Sequence, residues 1–170
     1  MKVLVAYSTK SGTTKKCANM LADRIEEFAD VVVCNLDGYD PGTMEYDAIV
    51  VGSSIRMGKI HKKARRYIAK NRVTFRVTPF AFFICNAYAE DSEKYIHKNL
   101  PRDLVELAVA TDSFGGEFHP EGLKGSEKVA VNMLVKNIEK TGRDIGIDEK
   151  AIDRFAKQIK IALKKSKKKK

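Results

Sequence analysis

The stretch Val3-Leu4-Val5-Ala6-Tyr7-Ser8-Thr9-Lys10-Ser11-Gly12-Thr13-Thr14 opens the chain with an unbroken apolar run that stops at hydroxyls around one glycine. A continuous apolar run marks a strand covered on both faces, and strands are covered on both faces where they pair in parallel. The same signature returns at residues 31–36, 48–51, 79–85 and 107–110. Between these runs lie helical stripes. Cys17, Met20, Leu21, Ile25 and Phe28 share one face, as do Val131, Leu134, Val135 and Ile138, and then Ile152, Phe155, Ile159 and Leu163. Residues 60–68 repeat Ile60, Ala64, Tyr67 and Ile68 under a coat of Lys and Arg, and residues 92–99 form a shorter helix ahead of Pro101. Asp148 is placed to cap the last helix. Residues 37–46 hold Gly38, Pro41 and Gly42 and read as a turn-rich connection. Parallel neighbours need a crossover that a helix usually supplies, so the expected architecture is α/β: five parallel strands with helices on both faces.

With 170 residues, 44% of them hydrophobic, the chain has material for one core, and the expected organisation is one domain over residues 1–163 with a basic tail at 164–170. No apolar run reaches 18 residues, and the opening run is too short for a signal peptide. A cytoplasmic protein that begins at Met1 is expected. Cys17, Cys34 and Cys85 are odd in number, far apart and set in apolar stretches, which fits buried packing and offers neither a disulfide framework nor zinc spacing. His97 and His119 likewise have no metal-ligand spacing with a partner.

Charge is the unusual bulk property: 32 Lys and Arg against 22 Asp and Glu give a formal +10. Six lysines, at positions 164, 165 and 167 to 170, make up the tail. A second block, Arg56, Lys59, Lys62, Lys63, Arg65, Arg66, Lys70, Arg72 and Arg76, contains no Asp or Glu and calls for an acidic partner. Nucleic acid is not the expected one, because no aromatic platform or recognised motif accompanies the cations.

In an open parallel sheet, ligands bind beyond the carboxyl ends of the strands. Four segments lie there: residues 8–14, 52–59, 86–90 and 111–117. The first combines hydroxyls, a glycine and a helix N-terminus, which together supply neutral donors for a phosphate. It matches neither the dinucleotide-binding glycine pattern nor the Walker loop. A plain capped helix start has the same composition.

The segment Thr9-Lys10-Ser11-Gly12-Thr13-Thr14, with Ser8 ahead of it, resembles the phosphate-binding loop of the flavodoxins. Gly52-Ser53-Ser54-Ile55-Arg56-Met57-Gly58-Lys59-Ile60-His61 is similar to a segment of the flavodoxin-domain branch that includes the menaquinone-dependent protoporphyrinogen oxidases. The resemblance implies a flavodoxin-like open sheet of order 2-1-3-4-5 and one non-covalent FMN. It implies that Ser8, Thr9, Lys10, Ser11, Gly12, Thr13 and Thr14 hold the FMN phosphate. Ser53, Ser54, Ile55, Arg56, Met57 and Gly58 would flank one side of the ring. Asn86, Ala87 and Tyr88 would form the opposite wall, and Gly115 and Gly116 would admit backbone from a third side.

The chain departs from the acidic electron-carrier flavodoxins in having no Trp, a basic surface, and Arg56 and Met57 where many of them place an aromatic. A cation at Arg56 would favour the anionic reduced flavin. His61 is a candidate proton relay or a plain surface residue. Two functions follow from the resemblance. The first is a small electron carrier, a monomer or homodimer, docking with acidic redox proteins such as ferredoxin or an oxidoreductase. The second is a protoporphyrinogen oxidase that passes electrons to a quinone, its lysine tail resting on an anionic membrane surface. The oxidases carry a long basic insertion after the fourth strand, whereas residues 88–101 are few and include Glu90, Asp91 and Glu93, so the carrier is expected first.

Overall fold

The computed structural model describes residues 1–86, 91–116, 125, 129, 132, 133, 136 and 146–167. In chain order the elements are β1 (Lys2–Ser8), α1 (Thr13–Glu26), β2 (Asp30–Asn35), β3 (Ala48–Arg56), β4 (Lys59–Ile60), α2 (Lys62–Lys70), α3 (Thr74–Val77), β5 (Phe80–Cys85), α4 (Ser92–Asn99), α5 (Arg102–Leu107), β6 (Ala110–Ser113) and α6 (Glu149–Lys167). The five longer strands pair in parallel in the order β2-β1-β3-β5-β6. That is the expected 2-1-3-4-5 arrangement of a flavodoxin-like sheet, with β4 as an added antiparallel partner of the end of β3.

Successive strand residues point to opposite faces, and this divides the core in two. Val3, Val5, Tyr7, Val50, Ala81 and Phe83 pack with Cys17, Leu21 and Ile25 of α1 and Ile152, Phe155, Ile159 and Leu163 of α6. Leu4, Ala6, Ile49, Val51, Phe80 and Phe82 pack with Ala64, Tyr67 and Ile68 of α2, Phe75 of α3, Ile96 of α4 and Leu104 of α5. The helical stripes of α1 and α6 are therefore core contacts. Phe83 stacks on Phe114 at 4.4 Å, and both meet Phe155 edge-on, which joins β5, the end of β6 and α6. Asp148 does cap α6: its Oδ1 accepts the N–H of Ala151 at 2.9 Å. Arg24 of α1 then spans to Asp153 and Glu149 of α6, each at 3.1 Å.

Two expectations are corrected. The fifth strand is Ala110–Ser113, not residues 107–110, and Leu107 ends α5 with half its surface exposed. Pro101 fixes a chain entry compatible with a helix start at Arg102, and Leu104 supplies its buried face. The basic helix begins at Lys62, because Ile60 is taken into β4. Met57 and Gly58 form the two-residue turn with φ of 49° and 74°, the positive pair that a tight hairpin requires. The helix read from Val131 to Ile138 falls largely outside the described residues.

α2, α3 and α5 are tied at the surface. Arg72 and Arg76 both donate to the carboxylate of Asp103, at 2.5 to 3.2 Å. Hydrogen bonds from Arg72 and then Arg76 hold the Asp103 carboxyl down to about 2. A depressed acid stabilises the fold above its ordinary value near 4, and that stabilisation is lost as pH falls through the folded value. Asp103→Asn is therefore expected to lower thermal stability modestly at neutral pH and to flatten the acid limb between pH 4 and pH 2, where the two proteins converge. Melting curves from pH 2 to 7 check this, and identical acid limbs in the two proteins refute it.

Candidate functional site

The carboxyl ends of β1, β3, β5 and β6 gather the polar residues. At the end of β1 the chain leaves the core through buried Ser8, exposes Lys10, Ser11 and Gly12, and re-enters it with Thr13 and Thr14. Gly12 has φ 94°, a conformation costly for any residue with a Cβ, and it precedes α1 with no side-chain cap. Thr9 Oγ1 accepts the Gly12 N–H at 3.1 Å and closes the loop on itself. The hydroxyls of Thr13 and Thr14 are buried and have no hydrogen-bond partner. A buried hydroxyl without a partner costs free energy, and here two of them stand in the first turn of a 14-residue helix that has no acidic residue there. A phosphate is the group that such donors and the N-terminal N–H groups suit.

Ser8 and Ser53 serve a different purpose. Ser8 Oγ donates to the Asp37 carboxylate at 3.2 and 3.3 Å and also meets Nδ1 of His61. His61 Nδ1 also lies 3.5 Å from Asp37 Oδ1. The backbone N–H of His61 donates to Ser53 Oγ at 2.9 Å, and Ser53 Oγ donates to the Ser54 carbonyl at 3.1 Å. One histidine thus joins the ends of β1 and β3 to the turn after β2.

The β3–β4 hairpin carries Ser54, Ile55 and Arg56 half-buried and Met57 almost fully exposed at its tip. Asn99 at the end of α4 fixes it: the Asn99 amide donates to the carbonyls of Gly58 at 3.0 Å and Tyr95 at 2.8 Å, and its oxygen accepts the Ile60 N–H at 3.0 Å. Neither Asp37 nor Asn99 was legible as a site residue. Asp37 follows the edge strand β2, outside the four segments that the sequence places at the ligand end of the sheet, and Asn99 reads as an ordinary helix terminus.

Across the sheet, Asn86 is buried, donates its N–H to the Gly115 carbonyl at 3.1 Å and accepts from Ser113 Oγ at 2.5 Å. Gly115 has φ 72°, and a Cβ there would stand 2.1 Å from the Gly146 carbonyl oxygen. The space beside Gly115 is thus filled by the chain itself, and Gly116 donates its N–H to the same carbonyl at 3.1 Å. Ala87, Tyr88 and residues 117–120 lie outside the described residues, as do 168–170. Burial, reinforced by Cys17, raises the Cys85 thiol well above its ordinary range, which suits packing and not thiolate chemistry.

A cleft of about 400 Å³ opens between the first loop and the hairpin, lined by Lys10, Ser54, Arg56, Lys59, Ile60, His61 and Lys62. Four cations share it, Lys10 from the first loop and Arg56, Lys59 and Lys62 from the stretch of the hairpin and the start of α2.

The family model of the flavodoxin domain matches residues 4–144. The chain belongs to the flavodoxin-domain family. Protoporphyrinogen IX dehydrogenase [quinone] of Escherichia coli strain K12 is 32% identical to this flavodoxin domain over 96 residues, covering 55% of the chain and 53% of that protein. The chain spans about half the length of the curated relatives it matches. Oxidised Flavodoxin 2 from Bacillus cereus superposes with a TM-score of 0.58 at 21% identity, covering 97% of this chain and 99% of that one. A flavodoxin from the domain Archaea gives 0.56 at 19% identity, with coverages of 94% and 99%. Both likenesses show the fold. In this flavodoxin domain the loop of residues 9–14 and the hairpin occupy the ends of β1 and β3, two adjacent inner strands of the β2-β1-β3-β5-β6 order. Among the described residues, no helix is long and apolar enough to cross a membrane.

Proposed function

We propose that this flavodoxin domain binds one FMN non-covalently and carries electrons between redox proteins. The observation that carries the reading is the pair of buried, unpartnered hydroxyls on Thr13 and Thr14 at an uncapped helix start behind Gly12. Donors left unsatisfied in the protein alone suit a ligand that brings acceptors, and a phosphate monoester brings three oxygens. Thr9, Ser11, Thr13 and Thr14, with the N–H groups of the first turn, would hold the phosphate. The hairpin residues Ser54 to Gly58 would border the ring, and Asn86 would close the site from β5. FMN, when bound, supplies one- and two-electron chemistry at the ring. The chain's own part is to hold it, to set the local charge with Arg56, and to meet its partner with a basic surface that speeds encounter with acidic proteins such as ferredoxin. A cytoplasmic setting, a monomer or homodimer, and reversible contact of the lysine tail with an anionic membrane belong to the same reading.

A second reading, a protoporphyrinogen oxidase passing electrons to a quinone, is favoured by the 32% identity to the E. coli dehydrogenase. The experiment is a visible spectrum during FMN titration, followed by reduction. The carrier reading expects flavin bands that ferredoxin reduces and protoporphyrinogen leaves oxidised. Reduction by protoporphyrinogen would establish the enzyme instead, and no flavin bands at saturating FMN would overturn both.

A further inference from the structure

The last helix, α6, sorts its charges by face. Its acidic residues, Glu149 and Asp153, both engage Arg24 of α1, at 3.1 Å each. Its apolar residues Ile152, Phe155, Ile159 and Leu163 enter the core. What remains outward is cationic. Lys150, Lys157, Lys164 and Lys165 are exposed and make no ion pair with a described residue, and Arg154 reaches Asp112 and Asp148 only at 3.7 and 3.9 Å. At roughly 100° of rotation per residue, these lysines and Arg154 fall within one arc of about 100°, and from Lys150 to Lys165 they run about 22 Å along the helix. Neither Glu149 nor Asp153 falls inside that arc. Ile161 stands in the middle of it, 53% exposed, one turn from Lys157 on one side and from Lys165 on the other.

We propose that the outer face of α6 is a docking surface for an anionic lipid bilayer, on which the helix lies flat. Charge complementarity is the first argument: a row of cations cleared of acids is repelled by itself and attracted to a sheet of negative headgroups. The second is shape. A long convex helix face offers no pocket to a small molecule, and its length matches an extended, planar partner. The third is residue type. Lysines are flexible point charges that suit laterally mobile headgroups, whereas fixed bidentate recognition of an acidic protein calls for arginine. Ile161 among the lysines gives the face an apolar contact at the headgroup level, which a lipid surface accepts. Contact by the lysine tail belongs to the carrier reading. The helix face stands on its own residues and needs no flavin.

The test is sedimentation of the full chain with vesicles of phosphatidylserine and phosphatidylcholine in equal amounts, and with phosphatidylcholine alone. The wild type is expected to bind the anionic vesicles in a salt-sensitive manner and to leave the neutral ones free. K157Q/K164Q should bind at least tenfold more weakly and melt as the wild type does. K63Q/R66Q removes the same charge from α2, on the opposite layer of the sheet, and should bind within threefold of the wild type. The chain has no Trp, so Ile161→Trp supplies a single reporter. Its emission should shift to the blue and escape an aqueous quencher on anionic vesicles, while that of Val77→Trp, exposed on α3, stays unshifted. Equal losses in the two charge variants would reduce the effect to net charge and overturn the proposal. A loss confined to K168Q/K169Q, with no shift at Ile161→Trp, would give the contact to the tail and overturn it too. Binding to a DNA duplex with none to vesicles would make the face a nucleic-acid contact instead. FMN titration of the same variants decides the flavin reading separately, since neither result depends on the other.

Discussion

Thr13→Val/Thr14→Val is expected to leave the FMN-free protein as stable as the wild type or more so, while weakening FMN about a hundredfold. Valine nearly matches threonine in shape, so the principal change is the loss of two buried hydroxyls that have no partner in the protein alone. Removing an unsatisfied buried donor relieves a penalty of roughly 1–3 kcal/mol. The same hydroxyls, given a phosphate, make hydrogen bonds to a charged acceptor worth roughly 1.5–3 kcal/mol each, which is about tenfold or more in affinity per bond. The opposite signs separate a ligand role from a structural one. Melting of the FMN-free proteins and fluorescence titration with FMN check both. A loss of stability with unchanged FMN affinity would show that the two threonines serve the helix start and nothing else.

Gly115→Ala is expected to cost about 3 kcal/mol or more and to lower the melting temperature by roughly 6–12 °C. Two effects add. A residue with a Cβ at φ 72° bears a left-handed penalty of roughly 1–2 kcal/mol. The Cβ would also stand 2.1 Å from the Gly146 carbonyl oxygen, a backbone atom that cannot rotate away. Relief requires separating the Gly115–Ile147 bridge and straining the bonds from Gly116 to Gly146 and from Asp148 to Phe114. The junction between β6 and the start of α6 would open. Gly146→Ala, where a Cβ meets open space, is the matched control and should change the melting temperature by no more than 2 °C. Equal melting temperatures for the two variants would contradict the packing described here.

The central strands were legible because β1, the first part of β3, and β5 are buried on both faces and so read as continuous apolar runs. That rule weakens at the sheet margins. β6 carries half-exposed Thr111 and Asp112, and its true position was hidden by the more apolar segment that forms α5. The edge strand β2 is only partly buried, although its valines made it readable. The β3–β4 hairpin was missed because Met57 stands at a turn position that usually signals itself with Asn, Asp or Gly. At the site, the hydroxyl loop was visible because its parts are consecutive. The engagement of Ser8 by Asp37 and His61, the clamp of Asn99 on the hairpin, and the meeting of Lys10 with Lys59 and Lys62 join residues 29 to 53 positions apart, and no local pattern encodes them.

The phosphate cradle at residues 9–14 is the central claim, and riboflavin tests it most directly because it differs from FMN only by the phosphate. Titration of the FMN-free protein with each flavin is expected to give FMN affinity at least a hundredfold above that of riboflavin, with the difference largely lost in Thr13→Val/Thr14→Val. Equal affinities for FMN and riboflavin would contradict the assignment of the loop to phosphate.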